Sequence, residues 1–223
     1  HAGDNIIDVG CGAGHLLTHL AKAVGDSGTV YGLDPSEAQI EQARKRCSEF
    51  INIKYIKRNA DESQLKTDSC HSVTSTQALE YVPDVGLALD EITRILKPGG
   101  AFVNVSILWD HLKFHGADER LNRKIHDAFR AHCSHQMLPM ELPGKLGRRG
   151  FKNIKDKSLA FVITRRDSNS PARYSEAVMA NFALTQGVSA EEVSDWKFQL
   201  EKAEQQGRFG FASFPVLTSA HLN

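Results

Sequence analysis

The residues best suited to chemistry lie near the start of the chain. Asp8-Val9-Gly10-Cys11-Gly12-Ala13-Gly14 stands between an apolar run, Asn5 to Val9, and a stretch of helical spacing, His15 to Val24. Glycines let the backbone turn sharply and approach a ligand closely. The helix start behind them offers free N–H groups to an anionic ligand group. The spacing is G-x-G-x-G, one residue shorter than the G-x-G-x-x-G of dinucleotide sites, and no Gly-Lys-Ser/Thr of a P-loop follows. Asp34 ends a second apolar run, 20 residues past Gly14. A carboxylate there can accept hydrogen bonds from both hydroxyls of a ribose, or help to cap the next helix. Asn59-Ala60-Asp61 follows a third run. Its backbone N–H and carboxylate can read an adenine edge, although alone it reads as a polar turn.

A second group could supply acid–base chemistry. Trp109, Asp110, His111, His115, His126, His132 and His135 follow a fifth apolar run. Trp109 and His111 come first after that run and are the expected catalytic pair facing a substrate. A histidine of ordinary pKa serves as a base near neutral pH; the competing reading is that most of these histidines are solvent-facing. Phe182, Trp196, Phe198, Phe209, Phe211 and Phe214 could line an apolar pocket or simply fill a core. Lys145, Arg148, Arg149, Lys152, Lys155 and Lys157 could bind an acidic partner or form a solvated face.

These residues need a scaffold. Strands are expected at Asn5–Val9, Thr29–Leu33, Ile53–Ile56, 71–75 and 101–107, from short β-forming runs bounded by turns. Helices are expected at His15–Val24, from Ser36 to about Cys47, and at 85–96. Ser36 and Gln39 have capping-box spacing, and Lys97-Pro98-Gly99-Gly100 stops the third helix. Strand–helix alternation implies an α/β fold with a parallel sheet covered on both faces. Residues 108–143 read as helical, 150–163 as a strand, 171–206 as two helices joined near Gly187, and 209–218 as a last strand. We expect one domain over 1–223 with helical insertions at about 108–143 and 171–206.

Composition narrows the function. The 27 basic and 27 acidic residues cancel, and this balance argues against a phosphate backbone as main partner. Cys11, Cys47, Cys70 and Cys133 show no CxxC pairing and fit a reducing, cytoplasmic setting. We expect no metal site. No apolar run approaches the length of a membrane span. The chain opens without Met almost directly on its first strand, so a preceding segment is expected.

The chain resembles the class I S-adenosylmethionine-dependent methyltransferases, through DVGCGAG (8–14), GLDPS (32–36), NAD (59–61), TQALEYVPD (76–84) and LKPGG (96–100). The likeness covers about residues 5–107 and is greatest to the small-molecule branch with the ubiquinone/menaquinone and sterol enzymes. It implies a Rossmann-like three-layer sandwich with a mostly parallel seven-stranded sheet, order 3-2-1-4-5-7-6. It implies that Asp8 and the Gly10–Gly14 backbone, Cys11 and Gly12 included, hold the methionine part. Asp34, with Pro35 beside it, would take the ribose. Ala60 and Asp61 would flank the adenine, and Gln77 would lie near the methionine or sulfonium. Cys11 is read as a packing residue within the loop, not a nucleophile. Tyr81 stands where relatives often carry His.

The implied reaction is methyl transfer from S-adenosylmethionine, giving S-adenosylhomocysteine, to O, N or C of a small, partly apolar metabolite. The alternatives are a cofactor-binding protein of the same fold that catalyses a non-methylating reaction, a binding module, and an RNA methyltransferase. Monomer and homodimer both remain open.

Overall fold

The computed structural model describes residues 1–223. By contacts the chain divides into two compact units, 1–106 with 138–157 and 216–223, and 107–137 with 158–215.

The first unit is built on β1 (Asn5–Val9), α1 (His15–Val24), β2 (Thr29–Leu33), α2 (Glu37–Arg46), β3 (Ile53–Ile56), β4 (Cys70–Thr76), α3 (Val85–Ile95) and β5 (Leu96–Ile107). It adds α5 (Leu138–Gly147), β7 (Phe151–Ser158) and β10 (Pro215–Leu222), the intervening elements belonging to the second unit. The sheet order is β3-β2-β1-β4-β5-β10-β7. Counted within this sheet alone, β7 is the sixth strand and β10 the seventh, so the expected order holds. β1 pairs in parallel with β2 and β4, β2 with β3, and β4 with β5.

Alternate residues of the strands enter separate cores, as the two-residue period of a strand requires. Ile7, Val9, Val73 and Phe102 pack with α3 and α5. Ile6, Val30 and Ile53 pack with Leu17 and Ala21 of α1 and Ile40 and Ala43 of α2. Helix starts follow their sequence signals. Ser36 accepts from the Gln39 N–H, and Asp84 accepts from the Gly86 and Leu87 N–H groups, each cap stabilising its helix by about 1 kcal/mol.

The second unit holds β6 (Lys113–His115), α4 (Glu119–Phe129), β8 (Phe161–Ile163), α6 (Pro171–Thr185), α7 (Ala190–Gln205) and β9 (Gly210–Ser213). Its three-stranded sheet has the order β6-β9-β8, antiparallel throughout. Phe114, Phe129, Trp196, Phe209 and Phe211 contribute to its core. Within that unit Arg166 donates to both carboxylate oxygens of Glu176, at 2.8 and 2.7 Å.

Several expected boundaries change. The 108–143 stretch contains a strand, β6, and its last helix belongs elsewhere: Leu138, Leu142 and Leu146 are buried in the first unit's core. The 150–163 strand splits into β7 and β8, which join different sheets. The 209–218 strand likewise splits into β9 and β10, with Pro215 opening β10; proline fits at the first residue of a strand because it has no N–H to give.

Candidate functional site

A cavity of about 530 Å³ opens in the first unit, at the carboxyl ends of β1, β2, β3 and β4. Parallel sheets bind ligands at this edge because strand-to-helix loops converge there. The loop after β1 supplies Gly10 and Gly12, that after β2 Asp34 and Pro35, that after β3 Ala60 and Asp61, and that after β4 Gln77.

The glycine loop is held by backbone geometry that other residues resist. Gly10, Gly12 and Gly14 have φ of 74°, 50° and 81°. A Cβ on Gly10 would lie 2.1 Å from the Ala78 Cβ, and one on Gly14 would lie 2.9 Å from the Ala43 Cβ. At Gly12 the nearest atom is Gln39 Oε1 at 3.9 Å, so this position faces open cavity. The Gly10 and Cys11 N–H groups donate to the Leu33 carbonyl at 2.8 and 3.0 Å, tying the loop to the end of β2.

Asp34 is nearly buried and its carboxylate is already oriented. The Gly12 N–H donates to Oδ2 at 3.0 Å and the Ser36 N–H to Oδ1 at 2.9 Å. An ionised carboxylate has about four acceptor positions, so two bonds leave room for two more donors. The ribose-binding and helix-orienting readings of Asp34 are therefore compatible.

Asp8 lies behind the loop, 2% exposed. Thr74 Oγ1 donates to its Oδ1 at 2.9 Å. Burial, with a smaller contribution from the Asp34 charge, pushes its pKa up to about 7, against the lowering effect of the Thr74 bond. Cys11 is buried, and burial followed by the charges of Asp8 and Asp34 raises its thiol pKa. A thiol so placed is a poor nucleophile, in keeping with a packing role.

The segment after β4 is fixed from below. Gln77 has φ of 49°, and its N–H donates to the Val105 carbonyl at 2.7 Å. Ser106 Oγ donates to the fully buried Glu80 at 3.0 Å, and Asn104 Nδ2 donates to Ser106 Oγ at 2.9 Å. This chain of bonds on β5 holds the turn from which Gln77 and Tyr81 reach the cavity wall. The loop after β3 is anchored by the Ser63 N–H, which donates to Glu91 of α3 at 2.9 Å.

The structure thus brings Gly10, Gly12, Asp34, Pro35, Ala60, Asp61 and Gln77 onto one cavity, while Asp8, Cys11 and Gly14 support the loop from outside the lining. Gln39, Tyr81 and Leu87 also line it and were assigned no part in ligand binding from the sequence. Leu87 had a usable signal, since it is apolar but falls off the Val85, Ala88, Leu89, Ile92 stripe that α3 turns to the core.

Trp109 and His111 belong to the second unit. Trp109, expected to face an acceptor, is a core residue instead, edge-on to Phe129 and His132. Packing an indole in a mainly apolar cluster buries a large area, which explains its place. His111 is exposed, with Phe214 edge-on to its ring at 6.2 Å. No helix is long and apolar enough to cross a membrane.

Known proteins are similar to this chain in sequence and in fold. The chain is 39% identical over 101 residues to a demethylmenaquinone methyltransferase of Staphylococcus aureus, covering 45% of this chain and 42% of that protein. It spans less than half the length of the curated relatives it matches. Among solved structures it is similar to the YcgJ protein of Bacillus subtilis, with a TM-score of 0.65 and 20% identity over 100% of this chain and 93% of that one. It is also similar to a geranyl diphosphate C-methyltransferase of Streptomyces coelicolor solved with S-adenosyl-L-homocysteine. There the TM-score is 0.60, with 17% identity over 99% of this chain and 70% of that one. The family model described as "Methyltransferase domain" matches residues 1–166, the stretch that carries every cavity-lining loop, and the chain belongs to that family.

Proposed function

We propose that the chain is an S-adenosylmethionine-dependent methyltransferase acting on O, N or C of a small, partly apolar metabolite. Residues 1–223 are proposed to work as one such domain in the cytoplasm. The observation that carries this reading is the pairing of a glycine loop with Asp34 across one cavity: Asp34 holds the Gly12 N–H and keeps acceptor capacity toward the open side. The residues fit the group. Gly12 leaves open the space its side chain would fill, and the cavity volume suits a small-molecule ligand. The S. aureus and S. coelicolor relatives, named for demethylmenaquinone and geranyl diphosphate, support a small acceptor.

Asp34, beside Pro35, would accept from the ribose hydroxyls, and Ala60 and Asp61 would flank the adenine. Asp8 and the loop backbone from Gly10 through Cys11 and Gly12 to Gly14 would hold the methionine end, with Gln77 close to it. Bound S-adenosylmethionine supplies an activated methyl group on a sulfonium and leaves as S-adenosylhomocysteine. Because the leaving group comes with the donor, the protein's part is to position the reactants and exclude water. Where an acceptor must lose a proton, His111 is the residue proposed to take it.

Calorimetric titration with S-adenosylmethionine and S-adenosylhomocysteine tests the cofactor site. Saturable binding is expected, weakened about 10- to 100-fold in Asp34→Ala by loss of bonds to a charged acceptor. The absence of binding, or equal binding by the variant, would overturn it. Binding without S-adenosylhomocysteine formation across a panel of acceptors would point to non-methylating chemistry.

A further inference from the structure

Residues 57–69 join β3 to β4 without a helix or strand of their own, and Ser63 is the one buried residue among them. Resting on the cofactor reading above, we propose that Glu91 and Arg94 of α3 are positioning residues, which act through this loop to make the cavity selective for an adenine base.

The loop is held from one place. The Glu62 N–H donates to the Asn59 carbonyl at 3.2 Å, closing a turn whose central residues, Ala60 and Asp61, line the cavity. The next residue, Ser63, is where α3 takes hold. Its N–H donates to Glu91 Oε1 at 2.9 Å, and its hydroxyl donates to the same oxygen. Arg94 steadies Glu91 in turn, Nε donating to Oε2 at 2.7 Å and Nη2 to Oε1 at 2.8 Å. The same guanidinium reaches along the loop, donating to the Leu65 carbonyl at 2.8 Å and the Thr67 hydroxyl at 3.2 Å. Every hydrogen bond that joins residues 58–67 to another element through a side chain therefore ends on Glu91 or Arg94.

Backbone strain marks the same spot. Gln64, between the gripped residues Ser63 and Leu65, has φ of 61°. That region is costly outside glycine and persists where the surroundings enforce it. The bonds on either side of Gln64 are that enforcement. Glu91 lies one turn beyond Leu87 and Ala88, which line the cavity from α3, so the pair fixes the turn against a second wall of the same cavity.

A purine can stack in a slot without being identified. Telling an amino group from an oxo group needs an acceptor at a fixed place, and a shift of about 1 Å is enough to lose the alignment. With the turn held, the Asp61 carboxylate accepts from a 6-amino group and repels a 6-oxo group. With the turn released, Asp61 still borders the cavity but follows the loop, and the preference falls.

Calorimetric titration with S-adenosylhomocysteine and S-inosylhomocysteine, which carries a 6-oxo group in place of the 6-amino group, tests this. The parent chain should prefer the adenine compound by about 10- to 100-fold. Arg94→Ala should cut that ratio to about threefold or less, and Glu91→Gln, which keeps the side chain's size, should shift it in the same direction. Asn52→Ala, which removes two bonds at the end of α1, controls for general destabilisation and should leave the ratio unchanged. Circular dichroism of each variant confirms folding. A merely structural fastening would lower both affinities together. An unchanged ratio in Arg94→Ala and Glu91→Gln, an equal fall in Asn52→Ala, or a parent that binds both compounds equally would each overturn the proposal while leaving the cofactor reading intact. A parent that binds neither compound would overturn both.

Discussion

Among the buried carboxylates, one in each unit is buried to the same depth, and the two are treated differently. Asp8 and Glu176 are both 2% exposed. Glu176 faces the guanidinium of Arg166 through two hydrogen bonds, and Arg166 also lies 3.7 Å from Glu204. Asp8 has one neutral partner, the Thr74 hydroxyl, and the nearby charge of Asp34 repels its ionised form. The second unit completes its buried charge internally. The first leaves an acid short of a cation just behind a ligand cavity. In the proposed reading, the missing cation is the ammonium of the bound methionine moiety. Electrostatic tension of this kind concentrates at functional sites, whereas a closed ion pair serves the architecture.

Removing one partner of the closed pair should have the largest effect. Glu176→Ala is expected to destabilise the chain by about 3–5 kcal/mol, because it leaves the buried guanidinium only the longer contact to Glu204, at 3.7 Å. Denaturant unfolding would measure this. A loss under 1 kcal/mol would mean that the pair contributes no more than a surface bridge.

Asp8 should reveal itself through pH. Its folded pKa is raised, so between about pH 4 and pH 7 the folded chain binds a proton that the unfolded chain releases. Its contribution is fully present below pH 4 and lost as pH rises through 7. Relative to Asp8→Asn, the parent chain should lose up to roughly 4 kcal/mol over that window, at 1.36 kcal/mol per pH unit. Unfolding curves for both proteins at pH 4, 6 and 8 would show it. Parallel curves would mean that Asp8 is better solvated, or better paired, than its burial suggests.

A smaller effect tests the backbone side of the contrast. Gly10→Ala places a Cβ against Ala78 at positive φ, and about 2–3 kcal/mol of strain and overpacking is expected. S-adenosylmethionine binding should fall with it, since Ala78 also lines the cavity. Retention of full affinity would show that the loop relaxes without moving the site.

The same contrast explains what could be read from the sequence. β1, α1, β2 and β3 were legible to the residue, because glycines, caps and short apolar runs mark their ends locally. Gly10, Gly12 and Asp34 were legible because backbone torsion and strand-end position restrict the residue type. In the second unit the two helices over 171–206 were legible in the same way, from their junction near Gly187, but the strands were not. Whether Phe161 or Phe211 joins one sheet or another depends on partners distant in sequence, which local periodicity does not encode. Pro215, in the middle of the expected last strand, was a break signal that the apolar pattern concealed. The i, i+4 leucines 138, 142 and 146 marked α5 as an amphipathic helix without saying which core it would enter. Trp109 shows the same limit: its position just after a strand suggested a substrate-facing place, and the tertiary packing that puts it in the second unit's core is not encoded locally.

One feature of the sheet bears on how the chain acquires its structure. β10 lies between β5 and β7, yet it is synthesised after every other strand. Until residues 215–222 emerge, β5 has an unpaired edge and β7 has no neighbour. The β5 edge must stay clear while all of the second unit is made, and the β7 edge while residues 159–214 are made. Long-range closure of this kind is slow, and an open strand edge recruits other chains. A nascent chain paused before Pro215 is therefore the species for which chaperone protection matters most.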